Sequence, residues 1–281
     1  MITSLKIINL FFVLTIISFS GYSQEITPID TIKYDIEYRY TFLQDSNNTL
    51  SIKEQIMALE IGGRVSKYKS KNGLTDDSIL FVNRNKSFGE IMQIIKPQLS
   101  KSHTSHFCNY TIYKKYPKKQ QLLFTGPISP KQWMSFIEEL DFKWALSSLP
   151  ETLVLGYKCK TAYLVYGGRK FIAHYTLDIP ISEGPYKFCG LPGLILKIHD
   201  EDELHCFEAI GIKKLNEVKP ILLTKKDYIA GSQKDYILGK KARTEELLRT
   251  FIYQQGSSYS EETKAKAVHN LKSRNNYIER F

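Results

Sequence analysis

Residues 156–212 read GYKCKTAYLVYGGRKFIAHYTLDIPISEGPYKFCGLPGLILKIHDEDELHCFEAIGI, and the expected architecture is built outward from this stretch. Tyr157 to Tyr166 and Arg169 to Thr176 flank Gly167-Gly168, a two-residue loop whose glycines suit the positive φ angles of a type I′ or II′ hairpin turn. Such a loop sets the pairing. Tyr166 falls opposite Arg169, Leu164 opposite Phe171, Ala162 opposite Ala173 and Lys160 opposite Tyr175, while Tyr163–Ile172 and Thr161–His174 share the other face. A connection rich in turn residues (Pro180, Gly184, Pro185) leads to Gly190-Leu191-Pro192-Gly193-Leu194-Ile195. Pro192 presets φ for the second position of a turn and Gly193 tolerates the positive φ of the third, so a type II turn is expected. Leu194–Ile198 and Leu204–Ile212 then form a second hairpin around His199-Asp200-Glu201-Asp202.

Upstream, period-2 patterning continues. Ile32 to Leu43 sets Tyr34, Ile36, Tyr38, Tyr40 and Phe42 against polar partners, the mark of a half-buried strand. Leu50–Ile61 and Val65–Tyr68 extend the β reading past Gly62-Gly63, and Phe88, Ile91, Met92, Ile94 and Ile95 point to a helix before Pro97. Trp133–Leu140 and Phe142–Ser147 are short runs that fit either helix or strand. Toward the C-terminus, Thr244 followed by Leu247, Leu248, Phe251 and Ile252 gives a capped amphipathic helix ending near Gly256. A second helix starts at Ser260, with Ala265, Val268 and Leu271 as its apolar stripe. The expectation is an α+β fold: a large twisted antiparallel sheet, curved toward an open half-barrel, with C-terminal helices packed against it.

The chain has 281 residues, 42% apolar and 24% charged, with 18 Tyr and 15 Phe, which excludes a disordered tail or a collagen-like fibre. Lys6, the apolar run Ile7–Ile17 and the small residues Ser18, Ser20, Gly21 and Ser23 read as a secretory signal over residues 1–23. That leaves one domain over 24–281 and an exported protein, periplasmic or associated with the outer membrane. No later stretch approaches the length of a membrane span. The formal net charge is +10, scattered apart from Lys114, Lys115, Lys118 and Lys119, which read as a hairpin tip between Phe107–Tyr113 and Gln121–Thr125. No stacking motif accompanies these lysines, so nucleic acid is not an expected partner.

The run GLPGLI at 190–195, preceded by Gly184-Pro185-Tyr186-Lys187-Phe188, resembles the signature of the GLPGLI family, exported proteins of the Bacteroidetes. Gly156-Tyr157-Lys158-Cys159, Gly168-Arg169, Ala173, Tyr175-Thr176 and Ile179-Pro180-Ile181 are similar to that family's pattern as well. So are Asn276, Ile278 and Glu279, with Tyr277 where proline is usual and His174 where members commonly carry Trp. The family has no established activity, so the resemblance implies a location rather than a mechanism. Four cysteines in an oxidising compartment suggest up to two disulfides. Of the three pairings, Cys159 with Cys189 is favoured, because both lie in the family-like block.

Enzyme signatures are absent: there is no H-E-x-x-H, no G-x-S-x-G, no phosphate loop and no dinucleotide fingerprint. Ser66-Lys67-Tyr68-Lys69 has the S-x-x-K spacing, but in a strand residues three apart point to opposite faces. His103, His106 and Cys108 form the only close group of soft ligands, and no metal or other cofactor is expected. The motif residues Gly190 to Ile195 read as a backbone corner feeding the core. Arg169, Tyr175, Tyr186 and Phe188 are the candidate binding residues. The favoured function is an envelope accessory or binding protein that takes an apolar or lipid-like ligand or an outer-membrane partner. The alternative is a hydrolase or metal-dependent enzyme whose site is assembled from distant residues.

Overall fold

The computed structural model describes residues 25–87, 89–94, 107–253 and 260–280. Segment 1–23, Gln24, Phe88, Ile95, Pro97, His103, His106, Gly256 and Phe281 lie outside these residues. At the Gly167-Gly168 turn both glycines take positive φ, +54° and +71°. Strands β10 (Tyr157–Tyr166) and β11 (Arg169–Thr176) pair around it in the expected register, from Tyr166–Arg169 through Ala162–Ala173 to Lys160–Tyr175. β12 (Leu194–Asp200) and β13 (His205–Lys214) form the second hairpin.

From β13 the sheet runs on through β2 (Tyr34–Leu43), β3 (Ile52–Ile61), β4 (Ser66–Ser70), β5 (Thr111–Lys114), β6 (Gln121–Ser129) and β7 (Gln132–Glu139), all antiparallel neighbours. β15 (Tyr228–Ala230) lies parallel to β7 at one end. β8 (Ala145–Leu146) and β9 (Thr152–Val154) pair with β10 at the other. The result is a mixed thirteen-stranded sheet that is not closed. A separate ribbon joins β1 (Glu25–Thr31) to β14 (Pro220–Lys225). Trp133–Leu140, ambiguous by pattern, is strand β7, and residues 89–94 are helical.

Alternation decides the two faces. On β2, Ile36, Tyr38 and Tyr40 are buried on the concave side, while Arg39 points out and meets Glu54 at 3.5 Å. On β4, Ser66 and Tyr68 face inward, and Lys67 and Lys69 face outward, where helix α1 (Lys71–Val82) supplies Asp77 at 2.7 and 2.8 Å. The S-x-x-K residues are therefore a strand held to a helix by a buried ion cluster. Ser70 caps α1 by accepting a hydrogen bond from the Gly73 amide.

The concave side is filled by the chain's own loop between β11 and β12. Tyr186, Phe188 and Leu191 are buried there, and the Tyr38 hydroxyl donates to the Ile195 carbonyl at 2.7 Å. Lys114 corrects the reading of the lysine cluster as a hairpin tip. It is fully buried, 2.9 Å from Glu183, and its ammonium donates to the carbonyls of Gly184 and Phe188. Burial alone would raise the Glu183 carboxyl, but Lys114 and Lys115 beside it hold it below its ordinary value. Only Lys118 and Lys119 remain on an exposed tip.

Two further expectations are corrected. Gly193 does not take positive φ; Gly190 does, at +97°. Gly193 is required for space, because a Cβ there would lie 1.9 Å from the Thr176 carbonyl oxygen. The motif is thus a close backbone crossing of β11, not a type II turn with Gly193 at its third position. Helix α2 spans Gln233–Tyr253 rather than starting at Thr244. Its cap is Ser232, whose hydroxyl accepts from the Asp235 amide while the Asp235 carboxylate accepts from the Ser232 amide. Thr244 sits inside the helix and donates to the Lys240 carbonyl. Helix α3 (Glu261–Lys272) follows Ser260 as expected.

Candidate functional site

Between the concave face, α2 and the C-terminal residues lies a cavity of about 510 Å³, within the range typical of small-molecule sites. The sheet contributes Tyr40, Phe42, Phe124 and Phe136 to its wall. Phe124 and Phe136 stack at 4.6 Å, and Tyr236 of α2 meets Phe124 edge-on at 4.9 Å. α2 presents one stripe to the cavity, Gln233, Tyr236, Ile237, Lys240 and Thr244, at helical spacing. Asn276, Tyr277, Ile278 and Glu279 form another wall.

Lys187 occupies the cavity floor. Its ammonium lies 2.5 Å from Glu138 on β7, 2.9 Å from Glu279 and 3.3 Å from the Tyr166 hydroxyl on β10. The rings of Phe124, Phe136 and Tyr186 surround it at 5.2 to 5.6 Å, a cation–π environment. Strands β7 and β10 stand near opposite ends of the sheet, and one loop lysine touching both means that the sheet curls around the loop. Tyr186, whose hydroxyl donates to Glu279, is held at φ +53°, a conformation that costs a non-glycine residue energy and persists only where surrounding contacts enforce it.

A second anchor holds the C-terminal residues. Arg169 pairs with Asp200 at 2.6 Å and donates to the Asn276 side chain and the Tyr277 carbonyl. The Arg280 amide donates to the Gly167 carbonyl at 2.7 Å. A Cβ on Gly167 would collide with Glu279, so the turn glycines also make room for this docking. Asp200 accepts from the His205 amide, and the His205 ring lies 2.7 Å from the Tyr40 hydroxyl. Burial, and then the charge of Arg169, drive the His205 pKa down to about 3. The imidazole is neutral at physiological pH, and its Nδ1 shares a hydrogen bond with the Tyr40 hydroxyl.

Of the candidate binding residues, Tyr186 lines the cavity. Phe188 and Tyr175 are core residues of the concave side, and Arg169 anchors the C-terminal segment. Gly190 to Ile195 shape the corner beneath the floor, with Leu191, Leu194 and Ile195 buried, and none of the six lines the cavity. The residues that sequence reasoning missed are Lys187, Tyr236, Lys240 and Glu279. A signal for the α2 stripe was present in its periodicity from the Ser232-x-x-Asp235 cap onward.

The expected Cys159–Cys189 bridge is corrected: all four cysteines are free thiols. Cys159 is locked inside β10 by pairing with Thr176 and Thr152, and the Cys189 backbone is held by the Trp144 indole, which donates to its carbonyl. Burial pushes the Cys108 thiol up to about 12 and those of Cys159 and Cys189 to about 11, so these are inert apolar fillers. Among the described residues no group of three or more His, Cys, Asp or Glu is placed to hold a metal. No helix of the described residues is long and apolar enough to cross a membrane.

Fold and site together define a curled, open sheet wrapped around its own loop, with an aromatic cavity bounded by a helix and the C-terminal residues. Residues 151–197, from β9 into β12, match the family described as "Protein of unknown function (Porph_ging)". No curated protein matches the chain. Among solved structures it is similar to "Structure of PNGF-II in C2 space group", with 14% identity, a TM-score of 0.47, and coverage of 76% of this chain and 33% of that chain. "Structure of PNGF-II in P21 space group" gives 14% identity, a TM-score of 0.46 and the same coverage. This chain spans a third of the length of those structures, and no role is carried over from them.

Proposed function

We propose that the protein is a non-enzymatic binding protein of the cell envelope that holds an apolar or lipid-like ligand between the curled sheet and α2. The observation that carries this reading is the cavity wall: Tyr40, Phe42, Phe124, Phe136, Tyr236 and Ile237 converge on one space of ligand size. The titratable groups at its floor are committed to each other. Lys187 is neutralised by Glu138 and Glu279, and the His205 ring is hydrogen-bonded to the Tyr40 hydroxyl, which favours holding a ligand over transforming it. The apolar run Ile7–Ile17 and the small residues after it support an exported location.

The test uses phenylnaphthylamine, a neutral apolar fluorophore. The expected result is saturable binding of one dye per chain, weakened by Ile237→Trp, which fills the cavity from α2. Native mass spectrometry of protein purified from its host should show a co-purifying amphiphile. Dye binding that never saturates, or that ignores Ile237→Trp, would remove the cavity from consideration.

A further inference from the structure

We infer that the ligand carries a single anionic group, seated between Lys240 of α2 and Arg274, while its apolar body lies against the sheet aromatics. The inference rests on the cavity being a ligand site and adds the charge of what fills it. Lys187, Lys240, Arg274 and Glu279 are the charged residues that line the cavity. Lys187 and Glu279 neutralise one another at the floor, 2.9 Å apart, with Glu138 and the Tyr186 hydroxyl completing their shells. Lys240 and Arg274 have no ion pair among the described residues. Both side chains line the same cavity, and burial first, then the Arg274 charge, hold the Lys240 amine below its ordinary pKa.

Two cations without an ion pair among the described residues, lining one aromatic cavity from α2 and from the C-terminal segment, form a half-built ion site, and an anion placed between them relieves the repulsion and compensates the partial burial of Lys240. Lys240 lies in the middle of the α2 stripe, between Tyr236 and Thr244, and is half-buried. Tyr110, whose buried hydroxyl interacts with the Cys108 thiol, belongs to the same lining. The chemistry named is a single-chain amphiphile with one carboxylate or phosphate head.

The experiment titrates the full chain with dodecanoate, dodecyl phosphate, dodecanol and dodecyltrimethylammonium, and repeats each titration on the Lys240→Gln/Arg274→Gln double variant. Both positions keep solvent contact, and far-UV circular dichroism with an unchanged melting temperature checks that the variant is folded. The expected result is that at least one anionic amphiphile binds about tenfold more tightly than dodecanol, and loses about that factor in the variant while dodecanol does not. A preference for the phosphate marks a lipid phosphate as the source, and a preference for the carboxylate marks a free fatty acid; either supports the inference. If the dye and dodecanol bind but neither anion exceeds dodecanol, or the variant leaves the anions unaffected, the charge inference is overturned and the cavity reading stands. If neither the dye nor any amphiphile binds, the cavity reading fails and takes this inference with it.

Discussion

The Lys187 ammonium lies 2.9 Å from the Glu279 carboxylate, which ties the loop inside the curled sheet to the C-terminal residues that wall the cavity. Both side chains are almost wholly withdrawn from water, and while Lys187 also has Glu138 at 2.5 Å, Glu279 has no second ion-pair partner among the described residues once Lys187 is removed. Lys187→Met should therefore destabilise the fold by about 3–5 kcal/mol, the cost of leaving a buried carboxylate unpaired. Adding Glu279→Gln to it should recover part of that loss, since the orphaned charge is then gone. Urea denaturation of the single and double variants checks this, and hydrogen exchange at 276–280 should accelerate in the single variant.

Gly193 and Gly156 separate two reasons for glycine. A Cβ on Gly193 would sit 1.9 Å from the Thr176 oxygen, and that backbone cannot yield without breaking the β11–β12 pairing. Gly193→Ala should cost about 3 kcal/mol or more, an overpacking penalty at the upper end of its range. Gly156 has φ +79° and open space around it, so Gly156→Ala should cost about 1 kcal/mol through conformation alone. Paired melting curves of the two variants test the ranking.

His205 makes stability fall on the acid side. The unfolded imidazole takes a proton below pH 6.5, whereas the buried one refuses it until about 3. Stability from this group is complete above 6.5 and erodes as pH falls from 6.5 toward 3, by on the order of 1.4 kcal/mol per pH unit. His205→Gln should lack this slope when denaturation is followed across the same range.

Glu60 acts in the opposite sense. Burial raises its carboxyl from 4.5 to about 7 despite the Lys67 charge across the strand pair, and Asp35 on the other side adds to the rise. The contribution is complete below 4.5 and lost as pH rises through 7. Glu60→Gln should raise stability at pH 8 by on the order of 1–2 kcal/mol, discounted for its partial exposure. Between 4.5 and 6.5 the His205 and Glu60 slopes oppose, so each is read as a difference from its own variant.

Thiol labelling tests the cysteine assignment. A maleimide should modify Cys206, the one cysteine with partial exposure, in the native protein and all four after unfolding without reductant. Intact mass should then rise by four labels, and a rise of only two would restore a disulfide.

The Gly167-Gly168 hairpin was legible because its register depends on local quantities, the turn length and the two-residue side-chain period. The β2 alternation and the helix that follows Ser260 were legible for the same reason. The α2 start was missed because Ser232-x-x-Asp235 is a capping box in a polar stretch, and the apolar stripe drew attention to Thr244 instead. Lys114 was misplaced for a different reason: a lysine next to a turn reads as solvated unless its carboxylate is known, and Glu183 lies far along the chain.

Strand periods, turn chemistry and caps were determined by the sequence itself, since each depends on neighbours a few residues away. The tertiary structure decided which way the sheet curls, what Gly193 is for and where the cavity lies. Tyr40, Phe124, Tyr186, Lys240 and Glu279 come from five separate segments, and their convergence depends on Lys187 reaching both β7 and β10. No local pattern encodes that contact. It exists because a charge enclosed by the curled sheet has to find its counter-charges among whatever groups the fold brings within reach, and those groups are distant in the chain.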